Sequence, residues 1–493
     1  MRRLIARIGV PLLATALGPA ALLAPTPALA ATATTYYVDC AASSNGSGTE
    51  SSPWNSLTDV NDFGSFSPGD SVLFESGTTC DGELDPKGSG TSGDPITLDW
   101  YGTGARPIID GGTSSSVPAA LLLQNQQYWT VQDLEVTGGY YQNIYVTATN
   151  AGTYSGVTIN NDTVTGNAYK GGEWVPDAGG VVVQSCNTSA VITGVAVTGV
   201  TAYDTDQSGI VIGHAEVGTS ATGSTDDPSC VLSGTVPKTL VQNVTLKWDT
   251  SYNNDAAGIE VFSATDVLIR KNVLYQNGNG AGGRNAGLNG EGAWWDNTNE
   301  VTAEDNTVYG NYTGNGDGGG LDADGASSDN VISDNDIYDN DSYGVSVFAY
   351  ANEDKVTTEI YGNTFYNNGA LASRSGYGDI YIKALGNPDA ELDGLAINNN
   401  TFQRTVNPGP AVYLHDADPL TLTGARFYNN TVIATTGLLM DLQLSGLACS
   451  DNTYEMASTG SPSWSYLGTT YTSLAAYQAA TGQETGSTFS TPS

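Results

Sequence analysis

The segment GDGGGLDADGASSDN, residues 316–330, sets Asp322 and Asp324 two positions apart behind a run of glycines. On an extended strand, residues i and i+2 project from the same face about 6.5 Å apart. Carboxyl pairs roughly 5–5.5 Å or 6.5–9.5 Å apart can cleave a glycosidic bond, one acting as acid and the other as nucleophile or base. The same oxygen donors can instead hold a divalent cation. Which chemistry applies depends on the elements that carry these side chains and on what stands beside them.

The first thirty residues, MRRLIARIGVPLLATALGPAALLAPTPALA, carry early arginines, an apolar stretch and a small-residue site ending at Ala30. This is the pattern of a secretory leader, and residues 1–30 are set aside from the fold. Losing Arg2, Arg3 and Arg7 with it takes the formal charge from −36 to −39. Such a surface repels nucleic acid and anionic lipid, and no later apolar run suffices to span a bilayer. The expectation is a secreted, extracellular monomer with no nucleic-acid or membrane partner. Proximity along the chain pairs Cys40 with Cys80 and Cys186 with Cys230, leaving Cys449 as a buried thiol. Spacing alone does not fix that connectivity.

A degenerate repeat organises the rest. KNVLYQNG (271–278), DNTVYGNY (305–312), DNDIYDND (334–341), GNTFYNNG (362–369), NNTF (399–402) and NNTV (429–432) each place an Asn before a short β-type pulse. These residues are Asn272, Asn306, Asn335, Asn363, Asn400 and Asn430, at intervals of 28 to 37. Earlier copies begin with Asp162 and Asp249. Such a unit cannot bury an apolar face alone, but stacked copies can, each coil pairing with the next. Asn suits the turn because it tolerates left-handed backbone, and its amide can bond to the Asn of the adjacent coil. Helix signals are nearly absent. The fold expected is all-β, a right-handed parallel β-helix.

YYVDCAASSNGSGTESSPWNSLTDV with FSPGDSVLFESGT, then GDPITLDWYGTGARPIIDGG and WTVQDLEVTGG, resemble the cap and first coils of the pectate-lyase-like superfamily of secreted β-helix proteins. The resemblance covers most of the chain after residue 30. It implies a carbohydrate-active protein, although the scaffold hosts lyases, hydrolases and binding proteins. Residues 31–118 are expected to form the N-terminal cap and first coils, with a short helix near Leu57–Phe63. Residues 119–455 form the catalytic β-helix. Residues 456–493 close it, with a capping helix in SLAAYQAATGQE (473–484).

Aligned Gly-led strands show which side chains share a face. In GIVIG (209–213), GIEVF (258–262), GAWWD (292–296), GLDAD (320–324), GVSVF (344–348), DIYIK (379–383) and AVYLH (411–415), period two puts the apolar partners of each strand inward. One outward column then runs Val211, Glu260, Trp294, Asp322, Ser346, Tyr381, Tyr413. Its neighbour runs Gly213, Phe262, Asp296, Asp324, Phe348, Lys383, His415. The catalytic expectation is Asp296, Asp322 and Asp324, with Glu260 as a supporting or alternative acid. Crowded carboxyls favour keeping one of them protonated as general acid. Trp294, Tyr381, Lys383 and His415 are expected to line a solvent-facing groove. The loops 277–292 and 369–378 would wall it, with Arg284 or Arg374 reaching substrate. Glu173, Trp174 and His214 are weaker candidates at its border.

The substrate expected is a polysaccharide or oligosaccharide, cleaved by hydrolysis without a cofactor. Three other readings compete with this one. The superfamily resemblance implies one alternative, a calcium-dependent lyase in which Asp296, Asp322 and Asp324, with Asp317, hold the metal and Lys383 removes a proton. YIKAL (381–385) also resembles the Arg-x-Lys element of the polygalacturonase-like hydrolases, with Tyr381 where those carry Arg. A non-catalytic glycan-binding or adhesion protein would keep the aromatic residues and have little need of the carboxyl cluster. Acid and aromatic content favours hydrolysis over elimination.

Overall fold

The computed structural model describes residues 32–493 except 168, 170–174, 176–177, 214–229, 231, 233–235, 280–287, 314–317, 351–356, 372–376, 386–389, 407–408, 416–418, 436, 458–459 and 492–493. The expected leader therefore lies outside the described residues. Ala33–Ser493 forms one compact unit.

Each coil contributes one strand to each of three long sheets, and nearly all neighbours pair in parallel. One representative coil runs Ile259–Phe262 in the third sheet, Ala264–Arg270 in the first and Val273–Tyr275 in the second, then returns to the third at Ala293–Asp296. The expected right-handed parallel β-helix is the fold observed. Inward residues alternate as period two requires: Ile259, Val261, Ala293, Trp295, Leu321, Ala323, Val345, Val347, Ile380, Ile382, Val412 and Leu414 are all fully buried.

The asparagines do form a ladder, with one correction to the reason for it. Side-chain amides of Asn306, Asn335, Asn363 and Asn400 donate to the Oδ1 of the next Asn at 2.9–3.1 Å, and the ladder continues through Asn430 to Asn452. Left-handed backbone falls instead on the preceding residue, Lys271, Asp305, Asp334, Gly362, Asn399, Asn429 and Asp451 in turn. The ladder Asn is chosen for its buried amide. Each donates to a carbonyl of the coil before, as Asn272 does to Leu246 O and Asn306 to Ile269 O.

A second ladder, Asn254–Asn277–Asn311–Asn340–Asn368, runs at the next corner. It ends where Asn368 donates to Asp379, which forms a fully buried ion pair with Arg404 at 2.9 Å. Between the two ladders, Tyr203, Tyr252, Tyr275, Tyr309 and Tyr338 stack face to face up the second sheet.

Among the described residues, helices are confined to the ends. Leu57–Asn61 buries Leu57 and Val60 against the first coils. Leu474–Thr481 starts at the Ser473 cap, stops at left-handed Gly482 and buries Tyr477 near Trp464. Both expected disulfides form, Cys40–Cys80 and Cys186–Cys230, and Cys449 is a buried thiol.

Candidate active site

The third sheet carries the columns expected from the Gly-led strands. Val211, Glu260, Trp294, Asp322, Ser346, Tyr381 and Tyr413 are successive register partners, followed by Asp441. In the neighbouring column Phe262 pairs with Asp296 and Phe348 with Lys383. The same register sets Asp324 opposite Asp296, with the Asp324 amide donating to Trp295 O. Adjacent coils stand about 4.8 Å apart. Asp322 and Asp324 are thus about 6.5 Å apart along the strand, and Asp296 is one coil from Asp324.

One expectation is overturned: this is not an open solvent face. Glu260, Asp322 and Asp324 are 1%, 2% and 8% exposed, and Trp294 and Tyr381 are 8% and 4%. Asp296, Lys383 and His415 keep intermediate exposure. The cover comes from outside the columns. Asn297 donates to Val236 O and Lys238 reaches Ala326 O, so the chain entering the strand at Val241 folds over the carboxyl-bearing coils. Tyr377 stacks on Tyr381 with ring centres 4.5 Å apart. Period two fixes which way a side chain leaves its own strand but carries no information about what later returns over it.

The covered face has an apolar, polar, apolar order along the helix axis. Leu122, Tyr145, Val182, Val211, Phe262 and Trp294 form one apolar cluster. Tyr343, Phe348, Tyr377, Tyr381 and Tyr413 form another. Asp322 and Asp324 lie between them, and Glu260 sits beside the first. Asp322 Oδ2 accepts from Tyr343 OH at 3.2 Å, Asp324 Oδ1 from the Gly325 amide at 2.8 Å, and Glu260 Oε1 from Ser208 Oγ at 2.6 Å. Tyr381 OH lies 3.3 Å from His415 Nδ1.

The glycines that open this chemistry have a steric reason. A Cβ on Gly319 would come within 2.5 Å of the Tyr343 ring, and one on Gly320 within 2.1 Å of Gly344 O. Tyr343 is fully buried, so its ring can reach Asp322 only across a glycine.

Two residues of this face were not read from the sequence. Tyr343 and Glu291 stand just before the Gly that leads their strands, and both are buried. A backbone irregularity turns those glycines toward the second Asn ladder: a Cβ on Gly292 would meet Asn311, and one on Gly344 would meet Asn368. The residue before the glycine therefore faces outward in its place. Ser346 is in the column but carries more than its size suggests. It is wholly buried between Asp322 and Tyr381, and its hydroxyl has no hydrogen-bond partner.

Arg284, Arg374, Asp317, Glu173, Trp174 and His214 lie outside the described residues. Among the described residues, no group of three or more His, Cys, Asp or Glu side chains converges as a metal site. No helix among the described residues is long and apolar enough to cross a membrane.

The sequence model of the right-handed β-helix region matches residues 179–461, more than half the chain. A curated lacto-N-biosidase of Bifidobacterium longum subsp. longum is 36% identical over 130 residues. That match covers 21% of this chain and only 8% of that protein. Among solved structures, a GH136 lacto-N-biosidase from Eubacterium ramulus aligns over 93% of this chain and 68% of its own, with TM-score 0.51 and 16% identity. A pectate lyase aligns over 73% of this chain and 80% of its own, with TM-score 0.42 and 16% identity. At such identities the structural likeness concerns the fold alone.

Proposed function

We propose that this chain, which belongs to the right-handed β-helix family, is a secreted glycoside hydrolase acting on a polysaccharide or oligosaccharide. The observation that carries the reading is the burial of Asp322, Asp324 and Glu260 among aromatic clusters on one sheet face. Three buried carboxyls gathered on one aromatic-lined face are the arrangement that acid–base catalysis uses. The partial sequence likeness to a lacto-N-biosidase supports the same class.

In this reading Asp322, which accepts the Tyr343 hydroxyl at 3.2 Å, serves as base or nucleophile. Repulsion between Asp324 and Asp296, on adjacent coils, favours keeping one proton on that pair. Asp324 then delivers it to the leaving oxygen. Glu260 is the supporting acid. Trp294, Tyr381, Lys383 and His415 bind sugar. Elimination with Lys383 as base is disfavoured because Phe348 occupies the coil between Lys383 and Asp324.

The test is digestion of a broad saccharide panel by the mature protein, with and without EDTA, following reducing ends and absorbance near 235 nm. The expected result is reducing ends without an ultraviolet signal, insensitive to EDTA. Turnover should fall by about 10²–10⁴ in Asp324→Asn and in Asp322→Asn. Calcium-dependent unsaturated products would replace hydrolysis with elimination. Binding without cleavage of any substrate would overturn the enzyme reading.

A further inference from the structure

The corner between the first and second sheets lies across the coil from the candidate active site. Its αL position is filled in successive coils by Asp133, Asn161, Gly199, Trp248, Lys271, Asp305, Asp334 and Gly362. Asp, Asn and Gly are the residues this backbone favours, because a Cβ in left-handed conformation crowds the following carbonyl. Trp248, at φ 61°, and Lys271, at φ 58°, are the two exceptions, on adjacent coils. A bulky side chain there costs on the order of 1–2 kcal/mol against glycine. Trp248 is also 58% exposed, the most exposed aromatic among the described residues. Neither strain nor exposure helps the fold.

Its surroundings are as unusual as its backbone. Lys247 Nζ sits 3.9 Å from the centre of the Trp248 ring. Lys271 occupies the same corner one coil on, and Gly199, one coil back, brings no side chain to cover the indole. Arg270 is already neutralised by Glu304 and Asp305 at 3.2 and 3.1 Å. Lys247 and Lys271 make no ion pair among the described residues. On a chain of formal charge −36, two uncompensated cations beside one open indole form a local reversal of sign.

We propose that Trp248, Lys247 and Lys271 form a saccharide-docking site separate from the candidate active site. Its ligand is a largely neutral glycan chain bearing an isolated carboxylate. The axial C–H face of a pyranose packs on the indole, and the carboxylate is met by the two ammonium groups. The apolar area is too small for a protein partner, whose interface takes about 800 Å² from each side. A continuous polyanion is repelled by the rest of the surface, whereas a single carboxylate within a Debye length of about 8 Å feels mainly the lysines. The inference does not rest on the hydrolase reading, because binding is measured without turnover.

The probe is glucuronoxylan, compared with the same polymer after its carboxyl groups are reduced to alcohols. Binding is followed by affinity electrophoresis and by calorimetry on the mature protein. Trp248→Asn suits the left-handed corner, so its melting temperature should not fall. It is expected to weaken glucuronoxylan binding at least tenfold. Lys247→Gln with Lys271→Gln should weaken it about tenfold, remove its salt dependence and leave the reduced polymer unaffected. Unchanged binding in Trp248→Asn would overturn the site. Salt-dependent binding that survives the double lysine change would overturn the carboxylate assignment. Loss of self-association rather than glycan binding in Trp248→Asn would reassign the corner to a contact between copies of the chain.

Discussion

Asp162 and Asp249 stand where later coils carry a ladder Asn, and the difference of one atom has a calculable consequence. Oδ1 of each accepts a backbone amide as the asparagines do, from Leu134 and Val200, at 2.8 Å. Oδ2 takes the place of the amide nitrogen and has no partner in either residue. By the ladder's pattern that position is directed at a carbonyl of the preceding coil, so a carboxylate there faces a second acceptor. Burial accordingly pushes the Asp162 carboxyl from an ordinary 3.8 up to about 8, and Asp249 well above the usual range. A protonated acid mimics the Asn amide. Because the folded-state affinity for the proton is raised, the stability tied to it is complete below pH 3.8. It declines as pH rises and is lost once pH passes about 8. At pH 7 holding that proton costs roughly 4 kcal/mol relative to the unfolded chain. Asp162→Asn removes the cost and restores the missing donor. Urea unfolding of wild type and variant from pH 4 to pH 8.5 measures it. The two should be nearly equal at pH 4, with the variant more stable by roughly 3–5 kcal/mol at pH 8. General acidic repulsion acts on both proteins and cancels in the difference. An equal difference at both pH values, or none at pH 8, would refute the protonated-acid reasoning.

Gly319→Ala drives a methyl into the immobile Tyr343 ring. It should cost about 1–3 kcal/mol of stability and lower turnover at least tenfold by pulling the hydroxyl from Asp322, as unfolding and initial rates would show. Ser346→Ala removes a buried hydroxyl that has no partner. It should leave stability in urea unfolding unchanged or raise it by up to about 1 kcal/mol; a loss of about 1 kcal/mol would show that the hydroxyl is satisfied in solution. Asp379→Asn strands the Arg404 charge in the core. Chemical denaturation should show a loss of about 3–5 kcal/mol, largely recovered when Arg404→Met is added.

The fold was legible because its determinants are local and repeated. One strand's alternation gives an uncertain register, but seven aligned strands whose even positions are all apolar leave one arrangement, and the columns of the third sheet follow it. The second Asn ladder was equally visible in principle. Asn277, Asn311, Asn340 and Asn368 each lie five residues after a first-ladder Asn within the aligned segments. The role of left-handed backbone was misplaced by one residue, because Asn is common at both positions and sequence alone does not say which of two adjacent residues turns.

The columns of the third sheet were legible in membership but not in environment, and the reason is physical. Which strand carries Asp322 is decided by hydrogen bonds every 4.8 Å, a constraint that each coil restates. What covers Asp322 is decided by segments that appear once. Tyr343 is fully buried, yet its hydroxyl reaches Asp322 only because Gly319 is small and because a Gly-led irregularity turns Tyr343 outward. Each condition involves a different coil. Val236 reaches Asn297 from a point 61 residues away in the chain. The same asymmetry governs Trp248. Its corner is one of the most repeated features of the chain, and for that reason a residue that breaks the repeat's preference stands out there. In a solenoid, the positions where the repeat is obeyed describe the scaffold. The positions where it is violated at a cost, Trp248 in its backbone and Asp162 in its proton, are where a requirement other than stacking is to be sought.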